Sequence, residues 1–178
     1  GKLQPQISDL YTRVAVLVDC ENTDPDILEY ALRVAAQFGR VVLRRGFGGY
    51  SALANKWQTV LVQQAFTPSL QYSYAAGKNT SDIALAIDAI EALFDQRADT
   101  FCLVTSDSDF AGLCRKLRER GATVHVIGEA KTPEARAAAT RVLSDERERL
   151  EGSFELLKVA ALDPHPRVRT EAVRGLSF

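Results

Sequence analysis

Val14-Ala15-Val16-Leu17-Val18, closed by Asp19, is an unbroken apolar run rich in β-branched residues. It is too short for a helix and lacks polar alternation, so it reads as a strand buried on both faces, the environment of a parallel sheet. Downstream, Ile27, Leu28, Ala31, Val34, Ala35 and Phe38 keep helical spacing between Pro25 and Gly39, with Asp24 or Thr23 as cap. Val41, Val42 and Leu43, then Arg44 and Arg45, read as a second strand that opens into a loop at Gly46, Gly48 and Gly49. Trp57, Val60, Leu61, Gln64 and Ala65 fit a helix ending near Phe66, and Leu70 to Tyr74 alternates as a third strand.

Thr80 or Ser81 caps the next helix, whose Ile83, Ile87, Ile90 and Phe94 read as the inward stripe and Asp88, Glu91 and Asp95 as the wet one. Phe101 to Val104 is a fourth strand, Phe110 to Arg120 a helix closed by Gly121, and Thr123 to Ile127 a fifth strand. This alternation with short connections predicts the α/β class: an open, Rossmann-like parallel sheet of about five strands with helices on both faces. Pro133 to Leu143 and Asp145 to Leu162 add C-terminal helices.

The 178 residues carry 22 Lys and Arg against 23 Asp and Glu with 46% hydrophobic residues, so one domain can bury its own core. Cys20, Cys102 and Cys114 form no CxxC pair and leave an odd thiol, which argues against a disulfide framework or zinc knuckle and for a reducing compartment. No apolar run approaches the roughly 20 residues a membrane span needs, and residues 1–11 lack a signal-peptide layout. The expectation is a cytoplasmic protein. The absence of methionine, even at position 1, points to a segment excised from a longer chain.

In a doubly wound sheet ligands bind at the carboxyl ends of the strands. Acids collect there. Asp19 ends the first strand, Asp107 and Asp109 follow the fourth in Val104-Thr105-Ser106-Asp107-Ser108-Asp109-Phe110, and Asp82 opens the helix after the third. Carboxylates placed together repel and raise one another's pKa unless a cation compensates. An all-oxygen set suits Mg or Mn better than Zn, which would want His or Cys. His125, expected to face out of its strand, and His165, in a proline turn, lie apart from this set. Singly, each acid has an ordinary alternative: Asp107 or Asp109 as a helix cap, Asp82 as a partner of the helix dipole. Asp88, about 240° around the helix from Asp82, belongs to a solvated face first and to the site second.

Several motifs are excluded. Gly77-Lys78-Asn79-Thr80 lacks the glycine and the Ser or Thr directly after Lys that a phosphate loop requires, Gly46, Gly48 and Gly49 miss the dinucleotide spacing, and there is no GxSxG elbow. A phosphatase of the haloacid-dehalogenase type would need DxD, whereas Asp19 is followed by Cys20 and Glu21.

Four blocks resemble the NYN domain, in particular its bacterial LabA-like branch: Val18-Asp19-Cys20-Glu21-Asn22, Gly77 to Asp82 with Ile83 to Asp88, Leu103 to Phe110, and Gly128 to Pro133. Their order and spacing match over about residues 13–143. The resemblance implies a PIN-like nuclease fold, a metal held by Asp19, Asp82 and Asp107 with Asp109 completing the cluster, and metal-dependent cleavage of RNA. Asn22 and Lys78 fall on polar positions beside those acids, and Ser106 and Ser108 are placed to hydrogen-bond around cation or substrate. Arg44 and Arg45, with Tyr50 and Trp57, are candidates for a wall that tracks and stacks single-stranded RNA, although Trp57 fits a core position better. The same fold also serves as a catalytically weak RNA-binding or assembly module, and PIN-like domains often form homodimers.

The organisation expected is an N-terminal extension over 1–12, the NYN domain over 13–143 and a helical extension over 144–178. In the last, Leu162 to Leu176 looks like the start of a HEAT-type repeat and suggests additional domains. Near-neutral charge does not exclude RNA. Residues 1–128 carry 13 Lys and Arg against 14 Asp and Glu, and with the four clustered acids set aside the balance is basic, 13 against 10.

Overall fold

The computed structural model describes residues 12–72 and 80–128. Within them β1 (Arg13–Asp19), β2 (Arg40–Gly48), β3 (Thr67–Leu70), β4 (Thr100–Val104) and β5 (Thr123–Ile127) form one sheet in the order β3-β2-β1-β4-β5. Every pairing is parallel, so the α/β expectation holds. The helices are α1 (Leu28–Ala36), α2 (Gln58–Gln63), α3 (Thr80–Phe94) and α4 (Ala111–Glu119). Residues 129–178, with the C-terminal helices, the repeat-like segment and His165, lie outside the described residues, as do residues 1–11.

β1 is buried on both faces because it alternates between two cores. Ala15 and Leu17 join Phe47, Leu85, Ala89, Phe101, Leu103 and Leu117 beneath α3 and α4. Val14, Val16 and Val18 join Leu28, Ala31, Trp57, Leu61 and Val104 beneath α1 and α2. Each large side chain so buried contributes about 1.5–3 kcal/mol relative to exposure. Trp57, 0% exposed, is core and takes no part in a stacking wall, while Tyr50 is 70% exposed. The three cysteines are free and buried. None of the described helices is long and apolar enough to cross a membrane.

Four local expectations are corrected. β2 runs on to Gly48, so Gly46 is a strand residue rather than the start of a loop; a Cβ there would lie 3.0 Å from Leu61 and 3.1 Å from Cys20, and glycine admits the helical layer. The third strand is Thr67–Leu70, displaced toward the N-terminus because its pairing follows Arg45 to Gly48. In α3 the buried residues are Ser81, Leu85, Ala89 and Ala92, while Ile83, Ile87 and Phe94 are 59%, 57% and 59% exposed. Small residues let α3 lie close on the sheet, and the bulkier stripe is turned outward. His125 is buried rather than outward, its ring stacked on Phe38 with centroids 3.7 Å apart.

Asp24 caps the first helical segment, its carboxylate accepting from the Asp26 N–H, whereas the Thr23 hydroxyl donates to the Asp19 carbonyl.

Candidate metal centre

The site stands at the carboxyl edge of the sheet, where β1 and β4 are neighbours with Val18 in register with Val104. On one side of this pair the sheet continues to β2 and β3, on the other to β5, which makes it the topological switch point. Asp19 and the Thr105 to Asp107 turn therefore leave adjacent strands at the same level. The first turn of α3 delivers Asp82. One carboxylate oxygen from each of Asp19, Asp82 and Asp107 lies within 4.8 Å of the others.

Asp19 is 1% exposed, and its orientation is fixed by three donors. Its Oδ2 accepts from the Thr105 hydroxyl at 2.8 Å and from Asn22 Nδ2 at 2.9 Å, and its Oδ1 from the Glu21 N–H at 3.2 Å. Burial pushes its pKa upward, the hydrogen bonds from Asn22, Thr105 and Glu21 oppose that, and the Asp107 charge adds to it. Asp82 is raised to about 6, first by burial and then by the charges of Asp19, Asp107, Asp109 and Glu21. The Asp107 N–H donates to Thr105 Oγ1 at 3.1 Å, and its Oδ1 accepts from the Asp109 N–H at 2.8 Å.

Thr105 is the residue sequence reading overlooked. Buried and hydrogen-bonded to both strand-end acids, it couples the exit of β4 to that of β1. Its signal was a hydroxyl at the point where an apolar strand gives way to two acids. Glu21 was also missed: its Oε1 accepts from the Gly49 N–H at 2.6 Å and ties the end of β2 to the turn after Asp19.

The remaining candidates sort by position. Asp109 is exposed at the rim, outside the group of three, though its charge acts on Asp82. Asn22 reaches the centre through Asp19, and Ser106 is half-buried between Thr105 and Asp107. Asp88 is not brought to the acids: its Oδ2 accepts from Arg45 Nη1 at 2.7 Å, in a half-buried ion pair. That pair neutralises Arg45, and Arg44 Nη1 donates to the Gln64 carbonyl at 2.9 Å. Lys78 and the Ser108 side chain lie outside the described residues.

Three carboxylates and no imidazole or thiolate make an all-oxygen donor set, which fits a hard divalent cation such as Mg or Mn. Burial is the larger cause of the raised pKa values of Asp19 and Asp82, and the mutual charge of the acids, which such a cation would offset, adds to it.

The family model of the NYN domain matches residues 13–150. Uncharacterized protein MJ0482 of Methanocaldococcus jannaschii is 34% identical over 120 residues, which are 65% of this chain and 47% of that protein, so the chain spans about half the length of this curated relative. The crystal structure of a protein of unknown function, VPA0982 from Vibrio parahaemolyticus, shares the fold with a TM-score of 0.54 at 24% identity, covering 74% of this chain and 90% of that one. With the family model spanning most of the chain and the acid-rimmed parallel sheet beneath it, the protein belongs to the NYN domain family, with its PIN-like nuclease fold.

Proposed function

We propose that this chain is a metal-dependent ribonuclease that hydrolyses phosphodiester bonds of single-stranded RNA. The observation that carries the reading is the approach of Asp19, Asp82 and Asp107 to within 4.8 Å at the switch point of the sheet. These three carboxylates would hold Mg or Mn, which when bound supplies charge neutralisation at the phosphate and activation of water.

The protein's own contribution is placement. Asp19 is locked by Thr105, Asn22 and the Glu21 N–H, so its oxygens present one fixed face. Asp82 and Asp107 come from separate elements and meet Asp19 from the helix and β4 sides. Asp109, exposed at the rim, is assigned to complete the acidic set or to orient the attacking water, a role supported by its charge acting on Asp82. Asn22, Ser106, Ser108 and Lys78 are assigned to the substrate side, Lys78 as a phosphate contact. Arg44 and Arg45 have a secondary part through the N–H groups left over from their protein partners.

The test is incubation of the purified chain with defined single- and double-stranded RNA and Mn2+, beside the Asp107→Asn variant. Cleavage of the single strand that requires Mn2+ and is lost in the variant is expected. RNA bound without turnover would make the protein a binding module, and cleavage equal in both proteins would mark a contaminant.

A further inference from the structure

α3 carries Ile83, Ile87, Ile90 and Phe94 in one row, separated by four, three and four residues. At about 100° per residue the row falls opposite the buried Leu85, Ala89 and Ala92. Ile83, Ile87 and Phe94 are each more than half exposed, so the bulkiest apolar side chains of the helix face away from its own core. Single exposed apolar residues are ordinary, whereas a contiguous row marks a contact surface. Its spacing is that of a coiled-coil seam, a pattern in which a helix packs against a copy of itself.

The two flanks of the row differ in charge. On the β2 side stand Glu91 and Asp95, exposed and without an ion pair among the described residues, next to Asp88, which is held by Arg45. On the other side lies α4, across a groove lined by Ile83, Ala86 and Ile90 and, from α4, by Leu113 and Lys116. Arg120 sets its guanidinium over the Phe94 ring at 5.2 Å, and Lys116 makes an exposed pair with Glu119 at 3.4 Å, which water weakens. Lys116 therefore lies near the level of Ile90 and Arg120 near that of Phe94.

Both edges of the sheet are blunted against strand pairing with a second copy. The Gln71 N–H donates to the Gly48 carbonyl, so alternation turns Pro68 to the open side of β3, where it offers no N–H. At the other edge Arg118 Nη2 donates to the Val124 carbonyl of β5. Association of copies is left to a helical face.

We infer that α3 is a dimer interface, in which the rows of two copies pack parallel and in register about a two-fold axis along the helices. Each row then meets its own counterpart, and the acidic flank of one copy faces α4 of the other, Glu91 toward Lys116 and Asp95 toward Arg120. An antiparallel alignment would set acid against acid and base against base. The second copy is the occupant that fits, because it brings both the matching row and the two opposite flanks. Parallel packing also places both metal centres at the same end of the pair, since Asp82 opens α3 in each copy. None of the three clustered acids lies on the row, so the inference is independent of the nuclease reading.

The test is sedimentation velocity of the full 178-residue chain across a concentration series, without RNA or metal, with the fold of each variant checked by circular dichroism. The wild type is expected to move from monomer to dimer. Ile87→Gln, which falls twice in a two-fold interface, is expected to weaken the dimer about 30-fold or more. Val62→Gln, 75% exposed on α2, keeps the wild-type constant. Asp95→Arg and Arg120→Asp each weaken the dimer, and the two together in one chain return to within about threefold of wild type. Alignment is read by oxidation: Ile83→Cys and Phe94→Cys, at opposite ends of the row, each form a disulfide with the same residue of a second copy. The native cysteines are buried, and the wild type is the blank.

A wild type that stays monomeric overturns the inference, as does a dimer that survives Ile87→Gln or is weakened equally by Val62→Gln. A double charge variant no tighter than the single ones, or a disulfide formed only between Ile83→Cys of one copy and Phe94→Cys of another, overturns the parallel alignment and the inference with it.

Discussion

Replacing Asp107 by Asn separates an electrostatic metal centre from a set of helix caps, because the two predict opposite signs for stability. Asn keeps the Oδ1 that accepts from the Asp109 N–H at 2.8 Å, so the turn is preserved and only the charge is removed. In chelator, that charge is part of what raises Asp82 to about 6 from 3.8. A carboxyl raised by about 2 units corresponds to about 3 kcal/mol of cost once ionised, but Asp82 is partly solvated and burial is the larger cause. The share relieved by removing Asp107 is therefore on the order of 1 kcal/mol after screening. The sign follows from proton linkage. Between the unfolded value and about 6 the native state holds the extra proton, so stability falls as pH rises through that window, and the repulsion is fully present above it.

Asp107→Asn is accordingly expected to raise the melting temperature of the metal-free protein at pH 7.5 by roughly 2–4 °C, and to leave it unchanged near pH 4. Mn2+ at 100 times its Kd adds about 2.7 kcal/mol to the wild type, roughly 5–10 °C, and that gain should largely vanish in the variant. Thermal unfolding by circular dichroism, with chelator and with Mn2+, reads both effects. A variant that is less stable in chelator and still gains the full shift with Mn2+ would refute the reasoning, because Asp107 would then be a structural cap.

Thr105→Val keeps the shape of a side chain 3% exposed but removes the donor to Asp19 and the acceptor for the Asp107 N–H. Mn2+ affinity is expected to fall about 10–100-fold, the usual cost of losing a group that orients a ligand, and a Mn2+ titration that shows no change would dismiss that role. Asp88→Asn breaks the half-buried pair with Arg45 and should cost about 1 kcal/mol, seen as a lower denaturant midpoint, with RNA cleavage unaltered. His125 is held neutral down to about 4 by burial and by Arg118. Since the unfolded chain takes up its proton from about pH 6.5 downward while the native ring does not, up to about 3 kcal/mol of stability should be lost between pH 6.5 and 4. His125→Phe should flatten that part of the urea-unfolding profile.

How far the site was legible depends on the order of interaction each residue obeys. Asp19 and Asp107 could be read from the chain because each ends a run whose apolar character already fixes it as a buried strand. Once the strands are parallel, their ends meet. Asp82 required only that a helix follow. Thr105 was illegible because its importance comes from a hydrogen bond to a residue 86 positions away, and a threonine after a strand is also ordinary turn chemistry. The buried face of α3 was misread because periodicity ranks isoleucine and phenylalanine above alanine, whereas the tight approach to β1 and β2 selects Leu85, Ala89 and Ala92. Asp88 was placed on a wet face because its partner, Arg45, sits on a strand that no helical wheel can show.

The course of α3 across the sheet determines how the site and its surroundings arise together. The helices after β1 and β2 cover one face of the sheet, and α3, returning from the β3 edge to β4, must cover the other. The crossover is what brings Asp82 to the seam between β1 and β4, since a helix that stayed on the first face would leave two acids there instead of three. It also sets α3 beside α4, two helices that start at the same edge, so the groove between them begins where the carboxylates stand. Ile83, more than half exposed, lines that groove together with Ala86 and Ile90 and gives the acidic centre an apolar neighbour, an arrangement that follows from the crossover and not from the periodicity of α3.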